Sequence, residues 1–177
     1  MAGVGGAGKS GRGYGWHARF TSCMLSDGMR FSRRVQYALC GIFDLAYNGA
    51  GEPVRVQAIG ARQQIPYRFL EQIFQRLRKA GLVRGKRGPG GGYVLSRPPE
   101  QISLREVVEA VEGGLDRGAV QGLEGWPECR HRPDFLWPDL AQRMGGVLAE
   151  IAVSDVCREA VRRSVERELP ENLDYQI

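Results

Sequence analysis

No apolar stretch in this chain approaches the roughly 20 residues that a membrane-spanning helix needs, and its opening lacks the apolar centre of a secretory signal. A cytoplasmic chain is the expectation. Cysteine is sparse: Cys23, Cys40, Cys129 and Cys157 are scattered, with no CxxC pair, which argues against a disulfide scaffold and against an ordinary zinc site. Histidine is scarcer still, with only His17 and His131 to offer for acid–base work. No nucleophile–base pair stands out. Gly88-Pro89-Gly90-Gly91-Gly92 superficially resembles a phosphate cradle but lacks the following Gly-Lys-Ser/Thr and the strand-to-helix setting. An enzyme is therefore not expected.

Acidic side chains are missing over one long interval. Between Glu71 and Glu100 there is none, while Arg76, Arg78, Lys79, Arg84, Lys86, Arg87 and Arg97 all fall there. The imbalance extends to the whole chain. Residues 1–99 carry 16 Lys and Arg against 4 Asp and Glu, and residues 100–177 carry 9 against 16, which leaves a net charge of +5. A basic half beside an acidic half suggests a polyanion as partner of the first half.

The hydrophobic fraction of 42% over 177 residues allows a modest core. Residues 1–28 are Gly-rich without helical or strand period and read as a flexible leader. From Ser32, Val35, Ala38, Leu39, Ile42, Phe43, Leu45 and Ala46 have helical spacing, which stops in Asn48-Gly49-Ala50-Gly51-Glu52-Pro53. Val54-Arg55-Val56 is long enough only for a small strand. Gln57–Gln64 reads as a short helix packing through Ala58, Ile59 and Ala61. Ile65-Pro66 is the turn, with Pro66 at the first position of the next helix. That helix is expected to turn Phe69, Leu70, Ile73, Phe74 and Leu77 to the core. Leu82-Val83-Arg84 and Tyr93-Val94-Leu95 flank a Gly/Pro-rich loop and predict a β-hairpin. Ser103-Leu104-Arg105-Glu106 is a capping box opening a helix with Val107, Val108 and Val111 inside. Residues 113–135 are irregular. A last long helix from near Pro138 carries Leu140, Met144, Val147, Leu148 and Ile151 on one face, weakened in its middle by Gly145-Gly146. The tail from about Ser154 is charged and partly helical.

Helix, short helix, turn, helix, hairpin is the order of a winged helix-turn-helix. The fold expected is mostly α with a small β-hairpin. The helix from Pro66 suits the major groove of B-DNA, presenting Tyr67, Arg68, Glu71, Gln72, Gln75, Arg78 and Lys79 outward. Lys86, Arg87, Gly88, Gly90 and Gly91 would form the wing contact. The glycines let the backbone approach closely, and Arg87 is long enough for a minor groove. Glu71 either neutralises basic neighbours or accepts from a cytosine amino group; the sequence leaves both open.

Met29-Arg30-Phe31-Ser32, Tyr37-Ala38, Phe69-Leu70-Glu71-Gln72-Ile73-Phe74, Leu77-Arg78-Lys79-Ala80-Gly81-Leu82-Val83 and Arg87-Gly88-Pro89-Gly90-Gly91-Gly92-Tyr93 together resemble the bacterial IscR/NsrR-like (Rrf-type) winged helix-turn-helix regulators. The resemblance is firm over 29–112 and weaker through Leu136-Trp137-Pro138-Asp139-Leu140 and Val153-Ser154-Asp155-Val156. It implies a transcriptional regulator that binds double-stranded DNA as a homodimer on a palindromic operator. The long helix (about 137–152) would cross its partner through Leu140, Met144, Val147 and Ile151. It also implies a usual start near Met29. The chain then divides into a leader (1–28), a DNA-binding domain (29–98), a short helix with an effector- or cluster-type loop (99–135), and a dimerisation helix with its tail (136–177).

In members that carry an iron–sulfur cluster, the loop before the dimer helix supplies three cysteines and a histidine. The corresponding loop here, Gly113–Phe135, has one of each, Cys129 and His131, with Arg117, Glu124, Trp126 and Asp134 among the other positions. Some relatives add a carboxylate or histidine from the partner's first helix, where this chain offers Gln36 and Cys40. Cys40 lies on the apolar side of its helix and reads as a small core residue. The expectation is a regulator without a bound cluster. The alternative is an iron–sulfur or thiol-based sensor with Cys129, His131 and Cys40 as unorthodox ligands, or with Cys129 as a thiolate favoured by Arg130 and Arg132.

Overall fold

A computed structural model of the chain describes residues 31–115, 131 and 133–168. The chain divides at Ser32, and all the elements below belong to the unit Ser32–Ile177. Among the described residues there are six α-helices and one two-stranded sheet: α1 (Arg33–Asn48), α2 (Val56–Gln63), α3 (Tyr67–Lys79), β1 (Val83–Lys86), β2 (Gly92–Leu95), α4 (Leu104–Glu112), α5 (Leu136–Ala149) and α6 (Val153–Arg162). A single 3-10 turn, Pro99–Gln101, precedes α4. No described helix is long and apolar enough to cross a membrane.

Helix α1 begins where the Ser32 hydroxyl accepts from the Val35 N–H (3.2 Å), satisfying one of the orphan donors of a helix start. Its buried face holds Val35, Ala38, Ile42 and Leu45, as the spacing predicts, and also Asp44. Val107, Val108 and Val111 of α4 and Val153 of α6 join the same core as Leu70, Ile73, Phe74 and Leu77 of α3. The hydrophobic core therefore runs across the division expected at residues 98/99. Ser103 and Glu106 form the expected capping box: the hydroxyl accepts from the Glu106 N–H and the carboxylate accepts from the Ser103 N–H.

The hairpin pairs Val83 with Leu95, Arg84 with Val94, Gly85 with Tyr93 and Lys86 with Gly92, antiparallel. Val54, expected in at most a small strand, forms one bridge to Tyr93, with N–H···O distances of 2.9 and 2.8 Å in the two directions. Gly92 has no side chain because a Cβ there would lie 2.4 Å from the Val54 carbonyl oxygen.

Four expectations are corrected. Ala61, expected to pack α2, is exposed, and the buried residues of that helix are Val56, Ile59 and Gly60. Pro66 is the N-cap of α3, with ψ 123°, and the helix starts at Tyr67. Phe69 is 56% exposed: the 3.6-residue period carries the core face through Leu70, Ile73, Phe74 and Leu77, and Phe69 lies beside it, 6.4 Å from the Tyr37 ring. Ile151 is not on the face of the last long helix, because α5 ends at Ala149. The chain leaves it to pair with the segment before α4: Leu104 donates to the Ile151 carbonyl (2.9 Å), Val153 donates to that of Ile102 (2.9 Å), and Ser103 and Ala152 form an antiparallel bridge.

Helix α5 runs unbroken through Gly145-Gly146. Gly145 is buried against α4, where a Cβ would meet the Arg105 guanidinium at 3.3 Å, so this glycine serves close helix packing. The tail from Ser154 is indeed helical, from Val153 to Arg162, and packs on α1. Beyond it the chain returns along α1. The Tyr47 hydroxyl donates to the Val165 carbonyl (2.9 Å) and the Glu168 N–H donates to Asn48 Oδ1 (3.0 Å).

Candidate nucleic-acid interface

The α2–α3 turn is fixed locally. Gln64 adopts the left-handed conformation (φ 52°), the Ile65 N–H donates to the Gly60 carbonyl (2.9 Å), and a Cβ at Gly60 would meet the Ile65 oxygen at 2.8 Å. With Leu70, Ile73, Phe74 and Leu77 committed to the core, α3 exposes Tyr67, Arg68, Glu71, Gln72, Gln75, Arg78 and Lys79, the outward set expected. Arg76, Arg78 and Lys79 occupy its last turn, where cations meet the negative end of the helix dipole.

The hairpin is tied to α3 by Phe74 and Tyr93, whose ring centroids are 5.0 Å apart. Its tip, residues 87–90, is exposed. Gly88 (φ 95°) and Gly90 (φ 73°) hold a backbone that other residues adopt at a cost. Gly91 serves the hairpin itself: its N–H donates to the Gly88 carbonyl (2.8 Å). A groove of about 310 Å³ lies between α3, the start of α2 and the hairpin, lined by Arg55, Gln57, Glu71, Gln75, Gly91, Gly92 and others.

The basic run divides in two. Arg76 donates to the Val111 carbonyl (3.1 Å), and Arg97 pairs with Glu106 (2.7 Å); both are structural. Arg78, Lys79, Arg84, Lys86 and Arg87 are exposed and have no ion pair with a described residue. Sequence reasoning passed over Arg55 and Gln57, because α2 was expected to start one residue later and Arg55 to sit in an isolated strand.

It also passed over a polar hub. Asp44 is fully buried. It accepts from Arg62 (Nη2–Oδ1 2.7 Å, Nε–Oδ2 3.0 Å), Gln63 (3.0 Å) and Asn48 (3.2 Å). Arg62 also binds Glu168 at 2.9 Å. Its hydrogen bond to Asp44, against the opposing effect of burial, raises the guanidinium pKa further. The hub joins α1, α2 and the returning C-terminal segment.

Of the candidate ligands, Cys129 lies outside the described residues, as do Arg117, Glu124, Trp126, Arg130 and Arg132. His131 is exposed. Cys40 is half-buried against the core, and burial, with the neighbouring Asp44 charge, pushes its thiol pKa up. That disfavours the thiolate that a metal requires. Among the described residues no group of three His, Cys, Asp or Glu could hold a metal ion. Along α5, Leu140 and Val147 are exposed and Met144 is half-buried.

The sequence profile of the Rrf2 family, described as iron-dependent transcriptional regulator, matches residues 31–159. The chain is 39% identical to the HTH-type transcriptional regulator IscR of Cronobacter sakazakii over 131 residues, covering 72% of this chain and 80% of that protein. It is 38% identical to IscR of Escherichia coli K12 over the same length and shares. Among solved structures it is similar to T. potens IscR (TM-score 0.62, 29% identity, 80% of this chain and 95% of that one). It is also similar to CymR, the global cysteine regulator of B. subtilis (TM-score 0.60, 25% identity, 75% and 98%). For an iron–sulfur cluster held by three loop cysteines, the donors do not fit: residues 113–135 contain one cysteine, Cys129. With its helix-turn-helix, wing and exposed basic face, the chain belongs to the Rrf2 family of winged-helix, DNA-binding transcriptional regulators.

Proposed function

We propose that this protein acts as a homodimer on a roughly palindromic DNA operator and controls transcription without a three-cysteine iron–sulfur cluster and without catalysing a reaction. The observation that carries the reading is the exposed surface of α3 and the wing. The cations there, Arg68, Arg78, Lys79, Lys86 and Arg87, are exposed and have no ion pair with a described residue, and Glu71 and Gln75 of α3 face Gly91 and Gly92 of the wing across one groove. Two recognition helices related by a two-fold axis would enter successive major grooves, with Tyr67, Arg68, Glu71, Gln72 and Gln75 at the bases, and Arg78, Lys79, Lys86 and the Gly88 and Gly90 backbone at phosphates. Arg87 would enter the minor groove. The self-association surface is α5, where Leu140 is 45% and Val147 56% exposed, with Met144 between them. Ile151 lies past the end of α5, in the segment that pairs with the residues before α4. Cytoplasmic residence follows from this role.

The test is selection of duplexes from a random pool by purified protein, followed by anisotropy titration. Recovery of a two-fold symmetric sequence supports the reading; recovery of no enriched sequence overturns it.

A second reading, a sensor with unorthodox ligands at Cys129 and His131, is favoured by the family's description as iron-dependent. Visible absorption with stoichiometric iron and sulfide in anaerobically purified protein would support it. A featureless, iron-free sample would direct attention to small-molecule effectors and to Cys129 as a thiol switch.

A further inference from the structure

We infer that Arg55, with Gln57, is a DNA phosphate clamp lying between the recognition helix and the wing; this rests on the DNA-docking reading above. Major and minor grooves are separated by a single sugar-phosphate strand. A protein that puts α3 into the major groove and the Arg87 tip into the adjacent minor groove must receive that strand in the cleft between helix and wing. Here the cleft is the groove bordered by Glu71 and Gln75 on α3, Gly91 and Gly92 on the wing, and Arg55 and Gln57 at the start of α2.

Arg55 is set in that cleft by backbone geometry. Val54 is bonded to Tyr93 through both its N–H and its carbonyl, so the residue that follows is fixed beside the base of the wing. Alternation then leaves Val54 half-buried, Arg55 exposed and Val56 buried. The Arg55 carbonyl accepts from Ala58 (3.0 Å) and Ile59 (3.2 Å), which anchors the residue to α2. Its guanidinium has no ion pair or hydrogen bond with a described residue. Gly92 keeps the floor open, since any Cβ there would strike Val54 and approach the Arg55 nitrogen at 3.0 Å. Charge makes the same demand. Glu71 stands on the cleft wall and would repel a phosphate. Arg55 supplies the opposite charge within the same groove and leaves the Glu71 carboxylate free to face a base edge.

The test uses the full-length chain and a duplex selected by the wild-type protein. Arg55→Ala should weaken binding to selected and unselected duplexes alike and lower the slope of log K against log salt by about 0.9, the contribution of one phosphate contact. Arg55→Lys should retain the slope, and Gln57→Ala should weaken binding without altering it. Arg162→Ala, which removes an exposed cation paired with Glu159 on α6, should alter neither. If Arg55→Ala keeps the wild-type slope, or if Arg55→Lys loses as much slope as Arg55→Ala, the clamp is overturned while DNA docking stands. If the wild-type protein selects no duplex, both fall.

Discussion

Asp44 is a buried carboxylate that joins α1 to α2. A carboxylate with no exposed surface, bonded to Arg62, Gln63 and Asn48, deprives all three of an acceptor if it is removed and leaves Arg62 with Glu168 alone. Asp44→Ala is therefore expected to cost about 3 kcal/mol or more, the range for breaking a buried pair, read by denaturant unfolding. The two described cysteines are predicted to be poor nucleophiles at neutral pH. Burial is the main cause in both, with Asp44 adding to it at Cys40. At Cys157 Glu100 adds to the effect, and Arg167 and Arg158 only partly offset it, so that its pKa is pushed up to about 11. Alkylation of Cys157 should stay slow at pH 7 and accelerate as pH approaches about 11, followed by mass spectrometry of the labelled peptides. At the wing, Arg87→Ala should lower affinity for all duplexes and reduce the salt slope by about one contact's worth; normal binding with an unchanged slope would remove Arg87 from the interface.

At the scale of elements, regularity decided what could be read in advance. The recognition helix was legible because Leu70, Ile73, Phe74 and Leu77 repeat at helical spacing, and Phe69 was misassigned because hydrophobicity alone does not say on which side of that stripe a residue falls. Ile151 continued the same pattern on paper, but its carbonyl is taken by Leu104, a pairing between distant segments that local period does not encode. Asp44, Arg76 and Arg97 escaped because their partners lie beyond the reach of a local period: Arg62 is 18 residues from Asp44, Val111 is 35 from Arg76 and Glu106 is 9 from Arg97. The capping box was legible because all its atoms lie within four residues. It also has a pH signature. Burial pushes the Glu106 carboxyl up, but the Ser103 N–H, the Arg97 guanidinium and the Ser103 hydroxyl outweigh it and hold its pKa below the ordinary value. A carboxyl lowered by folding stabilises above its unfolded value near 4.5 and loses that contribution as pH falls through the folded value. Glu106→Gln should therefore flatten the acid side of the stability profile, seen in thermal melts between about pH 5 and about pH 3.

For the whole molecule, the exposed apolar side chains of α5 predict self-association. Leu140→Asp together with Val147→Asp should shift the protein to monomer in sedimentation velocity and weaken operator binding, while the isolated unit keeps its helical spectrum; a dimer that survives would place the interface elsewhere. The strap formed by Val165 and Glu168 has a different consequence. Tyr47, Asn48 and Arg62 find their partners more than a hundred residues downstream, and the core of the recognition helix is closed by Val107, Val111 and Val153. A growing chain that has emerged from the ribosome only as far as Leu95 therefore already carries α1, α2, α3 and the wing, but not α4, α6 or the strap that complete the packing around them. The DNA-reading half is made first and finished last, so a message cut short before α4 yields a recognition helix whose core is closed only by α1, α2 and the wing.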